Sequence, residues 1–157
     1  MPVKPEIARI RKLSQQHAYT SIQMHETIGR QAGLSGTDHK YLGFLIQKGQ
    51  MTAGELSVLT GLTTGAVTGL IDRLAKKKLV KRQASKEDRR KTVIVPDTDK
   101  MIALLQPFYE DYQDSSDKLL GSFSKKELET LDKYFTKTLE IMNAKIGRLK
   151  TNRKNTL

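Results

Sequence analysis

The 157-residue chain contains no cysteine and no tryptophan, and only four prolines. No apolar run approaches the ~20 residues needed to span a bilayer. The missing thiols exclude disulfides, thiolate metal sites and cysteine-based peroxide sensing. The opening residues Met1-Pro2-Val3-Lys4-Pro5 lack the apolar core of a signal peptide, so the expectation is a cytoplasmic protein without membrane attachment. The ingredients of catalysis are missing as well. There is no glycine-rich phosphate loop, no serine nucleophile with a paired base, and no pair of carboxylates in an apolar setting. The chain therefore reads as a non-enzyme that needs no cofactor. Acidic residues are scarce, 17 against 28 lysines and arginines, for a net charge of +11. The excess is local. Residues 101–157 hold ten basic and eight acidic residues, whereas Arg73 to Lys91 hold ten basic residues against Glu87 and Asp88 alone. A concentrated positive patch is the electrostatic footprint of a nucleic-acid contact.

That patch closes a segment, residues 52–95, that is two short helix patterns followed by a basic hairpin. Thr52 stands three residues before Glu55, the spacing of a reciprocal N-terminal cap. Leu56 and Leu59 give the first helix an apolar face, and Gly61 supplies a left-handed stop. Thr63 or Thr64 then opens a second helix, whose Val67, Leu70, Ile71 and Leu74 recur at helical spacing and must face a core. The opposite face carries Thr64, Gly65, Thr68, Gly69 and Arg73, short or cationic groups that leave the floor of a DNA major groove within reach. Ser57 reads as a surface residue, and Asp72 as a group that contacts a base or orients Arg73. Leu79-Val80 and Thr92-Val93-Ile94-Val95 are apolar and β-branched enough to pair as strands. Between them Lys81 to Lys91 is too charged to bury. A helix-turn-helix followed by a charged hairpin predicts a winged helix-turn-helix, mainly α with a small β wing.

The run LTGLTTGAVTGLIDRLAKKKLVKR, followed by Asp88-Arg89-Arg90, resembles the MarR family of bacterial winged-helix transcription regulators. The likeness is strongest over residues 37–95. It implies that the second helix lies in the major groove and that an acid at the wing tip orients an arginine into the minor groove. Carried onto this chain, Asp88 holds Arg90, with Arg89 nearer the phosphates, although either arginine suits the negative minor groove of A/T-rich DNA. The DNA-binding set expected on these grounds is Thr63, Thr64, Gly65, Thr68, Gly69, Arg73, Lys77, Arg82, Asp88, Arg89, Arg90 and Lys91. One departure is the run Asp97-Thr98-Asp99-Lys100 after the second wing strand, where the family often has a Thr-Pro-Glu-Gly-like sequence. It still caps a helix.

On either side lie long amphipathic helices. Pro5 suits the first turn of a helix reaching about Ala32, with Ile7, Ile10, Ser14, His17, Ser21, Met24 and Ile28 on one seam. Gly33 and Gly36 interrupt, and Thr37 is expected to cap a helix through Gln47. After the wing, Thr98 or Asp97 starts a helix with Met101, Leu104, Leu105, Phe108 and Tyr112 inward, bent near Pro107. Ser124 and Glu127 repeat the reciprocal cap. From there Leu128, Leu131, Phe135, Leu139, Met142, Ile146 and Leu149 form a stripe to about Lys150, with Thr151 to Leu157 expected to fray. The expected division is residues 1–34 as an N-terminal dimerisation helix, 35–97 as the winged helix-turn-helix, and 98–157 as C-terminal dimerisation helices. The alternative is that these helices pack on each other within one chain; pairing of their apolar stripes with a second copy is the favoured reading, and family resemblance implies the same arrangement.

These expectations combine into a sequence-specific, homodimeric repressor that binds a pseudo-palindromic double-stranded operator and releases it when a small-molecule effector binds. The release step rests on the resemblance, which places an effector between the dimerisation helices and the winged helix. His17, Tyr41, Phe44 and Tyr112 are candidate lining residues. Two alternatives keep the fold. In a metal-responsive regulator His17, His25 and His39 would have to meet in space, yet the first two lie about 80° apart around a helix, and no ligand spacing of a zinc site is present. A non-specific architectural protein would not need the polar face at Thr64, Thr68 and Arg73.

Overall fold

The computed structural model describes residues 3–154, apart from the side chains of residues 36, 37 and 152–154. Pro5 sits in the first turn of helix α1 (Pro5–Gln31), where a missing N–H costs no hydrogen bond. Gly33 turns the chain at φ 74°, and the Leu34 N–H donates back to the Gly29 carbonyl. Helix α2 (Gly36–Lys48) is capped by Ser35, not Thr37: the Ser35 hydroxyl accepts from the Asp38 N–H at 3.1 Å. Two residues then form strand β1 (Met51–Thr52). Thr52 ends that strand and caps helix α3 (Ala53–Thr60). Its hydroxyl accepts from the Glu55 N–H at 3.1 Å, and the Glu55 carboxylate accepts from the Thr52 N–H at 2.7 Å. Gly61 closes α3 in the left-handed conformation, φ 72°. Ser57 is half-buried rather than a plain surface group, since its hydroxyl donates to the Leu62 carbonyl and braces the turn.

Helix α4 (Thr64–Lys76) is capped by Thr63, which accepts from the Ala66 N–H. Val67, Leu70, Ile71 and Leu74 are buried along one side of it, as their spacing requires. The wing consists of β2 (Val80–Ala84) and β3 (Thr92–Pro96), antiparallel, with Arg82 opposite Ile94. β3 also pairs with β1, Met51 opposite Ile94 and Thr52 opposite Val93, so the sheet order is β1-β3-β2. The periodicity gave no hint of β1, because two residues carry no pattern and its pairing is non-local. Leu42, Leu45, Leu56, Leu70, Leu74, Ile94 and Met101 are almost wholly buried in the resulting core. Each such side chain contributes about 1.5–3 kcal/mol on burial. Helix α1 meets α2 closely at Gly29, where a Cβ would lie 2.6 Å from the His39 Cβ.

Helix α5 (Thr98–Gly121) starts at Asp97, whose carboxylate accepts from the Lys100 N–H, and Pro107 lies inside it without ending it. The chain divides after Tyr109 into two compact units. The first holds the core just described, including Met101 and Leu105 of α5. The second holds the rest of α5 and helix α6 (Lys125–Lys154), capped by the reciprocal Ser124–Glu127 pair. Helix α6 continues past Lys150, so the expected fraying of Thr151 does not occur, while residues 155–157 lie outside the described residues. None of the described residues of this second unit is buried. Leu119, Phe123, Phe135, Leu139, Met142, Ile146 and Leu149 all stand exposed.

Candidate nucleic-acid interface

Helix α4 presents Thr64, Gly65, Ala66, Thr68, Asp72, Arg73 and Lys76 away from its buried side, and all are exposed. The Thr68 hydroxyl donates to the Thr64 carbonyl at 3.0 Å, which leaves its oxygen lone pairs and methyl group on the surface. A Cβ at Gly65 would meet nothing within 4 Å. Glycine in a helix is about 0.5–1 kcal/mol less favourable than alanine, and no packing inside the protein calls for it at this position. Lys77 follows the helix, exposed, with its ammonium beside Gly33.

Adjacent residues of α4 make ion pairs in different directions. Arg73 donates from Nε to Asp38 Oδ2 and from Nη2 to Asp38 Oδ1, both at 2.8 Å. The Asp38 side chain is 4% exposed and the Arg73 side chain 55% exposed. Burial works against the charge on Asp38, yet hydrogen bonds from Arg73 and Ser35, with attraction from Arg73 and Lys77, outweigh it and hold the carboxyl below its usual range. Stranding that buried carboxylate by removing its partner would cost of order 3–5 kcal/mol. Asp72 turns the other way and accepts from Arg82 of β2. It is thus Asp38, not Asp72, that orients Arg73. Both Asp72 and Arg82 are exposed, so their pair contributes about 1 kcal/mol or less to stability, although it sets the wing base against α4.

The wing tip is organised by short-range bonds. The Ser85 hydroxyl accepts from the N–H groups of Glu87 and Asp88, and the Ser85 N–H donates to the Lys91 carbonyl. Asp88 accepts from the Arg90 N–H at 3.1 Å, and its Oδ1 lies 3.5 Å from the Arg90 Nε. The acid and the arginine that the resemblance links are therefore neighbours, with the Arg90 side chain 94% exposed. Arg89 and Lys91 are exposed beside it. Ten of the twelve expected DNA-contacting residues are exposed, and the other two, Gly69 and Asp88, are half-buried.

A cavity of about 700 Å³ opens among α1, α2 and the start of α5. Tyr41 and Phe44 are among its lining residues. His17 and Tyr112 are exposed and are not among its lining residues. Sequence reasoning missed His25, His39 and Tyr109 as a group. The Tyr109 hydroxyl bridges the two imidazoles, contacting His25 Nδ1 and lying 3.1 Å from His39 Nε2, and the rings stack with centroids 5.6 Å apart. One hydroxyl donates only once, so in the neutral cluster one imidazole accepts from Tyr109 and the other donates to it. Burial, and then the neighbouring His25, lower the pKa of His39. Tyr109 stands four residues after Leu105 and eight after Met101, a spacing that marks the same helix face. Among the described residues no three His, Asp or Glu side chains gather in a way that could hold a metal ion.

A helix-turn-helix with an exposed second helix, a three-stranded antiparallel sheet and a charged hairpin define a winged helix-turn-helix protein. The MarR family model matches residues 32–91, from the end of α1 to the wing tip. The uncharacterized HTH-type transcriptional regulator YcgE of Bacillus subtilis (strain 168) is 36% identical over 130 residues, covering 83% of this chain and 84% of that protein. The chain belongs to the MarR family of transcriptional regulators. Among solved structures, a MarR family protein from Bacillus stearothermophilus matches with a TM-score of 0.70 and 22% identity, over 91% of this chain and 99% of that one. A mutant MarR from E. coli complexed with operator DNA matches with a TM-score of 0.54 and 21% identity, over 88% and 99%. These likenesses bear out the mainly helical winged fold.

Proposed function

We infer that this regulator is a homodimeric repressor that lays α4 in the major groove of a pseudo-palindromic operator and sets the wing, through Arg89 and Arg90, against the minor groove. The observation that carries the reading is the bare side of α4. Thr64, Gly65 and Thr68 are exposed, and open space stands where a Gly65 side chain would be. Base edges require that kind of approach. The dimer is supported by apolar surface that a single chain leaves in water, Ile7, Ile10 and Leu13 on α1 and the Leu139–Leu149 stripe on α6. A two-fold axis would put two α4 helices on half-sites about 10 bp apart. Residues 1–34 and 98–157 are then dimerisation helices, and 35–97 the DNA-binding domain. The cavity lined by His25, His39, Tyr41, Phe44 and Tyr109 has a suitable size for a small-molecule effector, and an occupant that favours one spacing of the wings would shift the population off DNA. The likeness to transcriptional regulators supports action in the cytoplasm, and no helix among the described residues is long and apolar enough to cross a membrane.

The test is competition binding at fixed salt between the DNA upstream of the protein's own gene and random duplex. A specific regulator favours its site by about 10³ or more, whereas a ratio near one would replace this reading with non-specific coating.

A further inference from the structure

We propose that Arg73 reads a guanine in the major groove with the outer edge of its guanidinium, and that Asp38 is the positioning residue that fixes this edge. The proposal rests on the DNA-binding reading above and adds a base to it. Asp38 takes Nε and Nη2 side-on, two bonds of 2.8 Å from a carboxylate that is itself buried. A guanidinium carries five N–H donors in one plane. Those two bonds use the Nε–H and one Nη2–H. The second Nη2–H and both Nη1–H groups remain, and the Nη1/Nη2 pair is the outer edge. More than half of the Arg73 side chain is exposed, and neither Nη1–H takes part in the bonds to Asp38.

Gly69 leaves space beside this edge. A Cβ there would stand 3.3 Å from Arg73 Nη1, tighter than ordinary contact, so the glycine gives the guanidinium room to lie along α4 on the same side as Gly65 and Thr68. Two parallel N–H groups match the two acceptors of guanine, O6 and N7. Adenine places a donor where O6 would be, and is rejected. A lysine at this position would offer a point charge without the planar fork. Holding the fork before DNA arrives removes the ordering cost that a free arginine would meet on binding. Asp38 reaches Arg73 from α2, an element with no other expected contact to bases.

The experiment replaces each guanine of the bound upstream duplex in turn by 7-deazaguanine, which lacks only the N7 acceptor, and measures affinity for the wild-type, Arg73→Ala and Asp38→Asn proteins. The expected result is one guanine per half-site at which the change weakens wild-type binding about tenfold. That sensitivity should vanish in Arg73→Ala. In Asp38→Asn it should shrink, because the guanidinium edge is no longer held in place before DNA arrives. If no guanine is sensitive in the wild type, or if every sensitivity survives in Arg73→Ala, Arg73 merely ties α4 to α2 and the proposal is overturned. If the wild type shows no preference for any duplex, the DNA-recognition reading itself has failed, which is a separate outcome.

Discussion

Gly65→Ala separates what the protein requires of α4 from what DNA requires of it. Gly65 is the second residue of the helix, and a Cβ built there has no heavy atom within 4 Å. The substitution should therefore stabilise the folded chain by about 0.5–1 kcal/mol through helix propensity alone. For a protein of this length that corresponds to a rise in melting temperature of about 1–4 °C. On the operator the sign reverses. With α4 in the major groove as proposed, the added methyl group would enter its approach to the groove floor, and overfilling a packed interface costs about 1–3 kcal/mol, or roughly 5- to 150-fold in affinity. Thermal unfolding by circular dichroism gives the first quantity, and fluorescence anisotropy with a labelled upstream duplex at fixed salt gives the second. A variant that is more stable and binds as tightly as the parent would refute the reasoning, because the bare face would then have nothing to accommodate.

Arg90→Ala should weaken operator binding by about 1–3 kcal/mol with an unchanged melting temperature, since its side chain is almost fully exposed at the wing tip; titration against the duplex checks it. Leu139→Glu should leave the chain folded but monomeric by analytical ultracentrifugation and abolish operator binding, because the residue is 59% exposed on the α6 stripe. Stability should fall as pH drops below about 6.5. His39 has a lowered pKa when folded, so the unfolded chain takes up a proton there first, and that uptake favours unfolding until the folded His39 also protonates. Denaturant midpoints across pH 5–8 should show this acid-side loss reduced in His39→Gln.

Much of the interface was legible from neighbours in the chain. Thr52 with Glu55, Ser124 with Glu127 and Asp88 with Arg90 lie two or three residues apart, so local geometry alone brings them together. Gly61 was legible as a left-handed stop, and the 3.6-residue period already assigned Val67, Leu70, Ile71 and Leu74 to the core and Thr64, Gly65 and Thr68 to the open side. The N-cap of α2 was misassigned because Ser35 and Thr37 are both good caps two residues apart, and side-chain chemistry alone does not choose between them.

The amino-acid order by itself determined the helices, their buried faces, the wing and the basic patch, since each depends on spacings within a few residues. Tertiary structure decided which long-range partners meet. Asp38 and Arg73 are 35 residues apart, His25 and Tyr109 84 apart, and strand β1 exists only because β3 passes beside it. Such pairings follow from how helices cross and pack, which no local period encodes. Asp38 is a first-turn acid of α2, and only the fold shows that its carboxylate holds the Arg73 guanidinium.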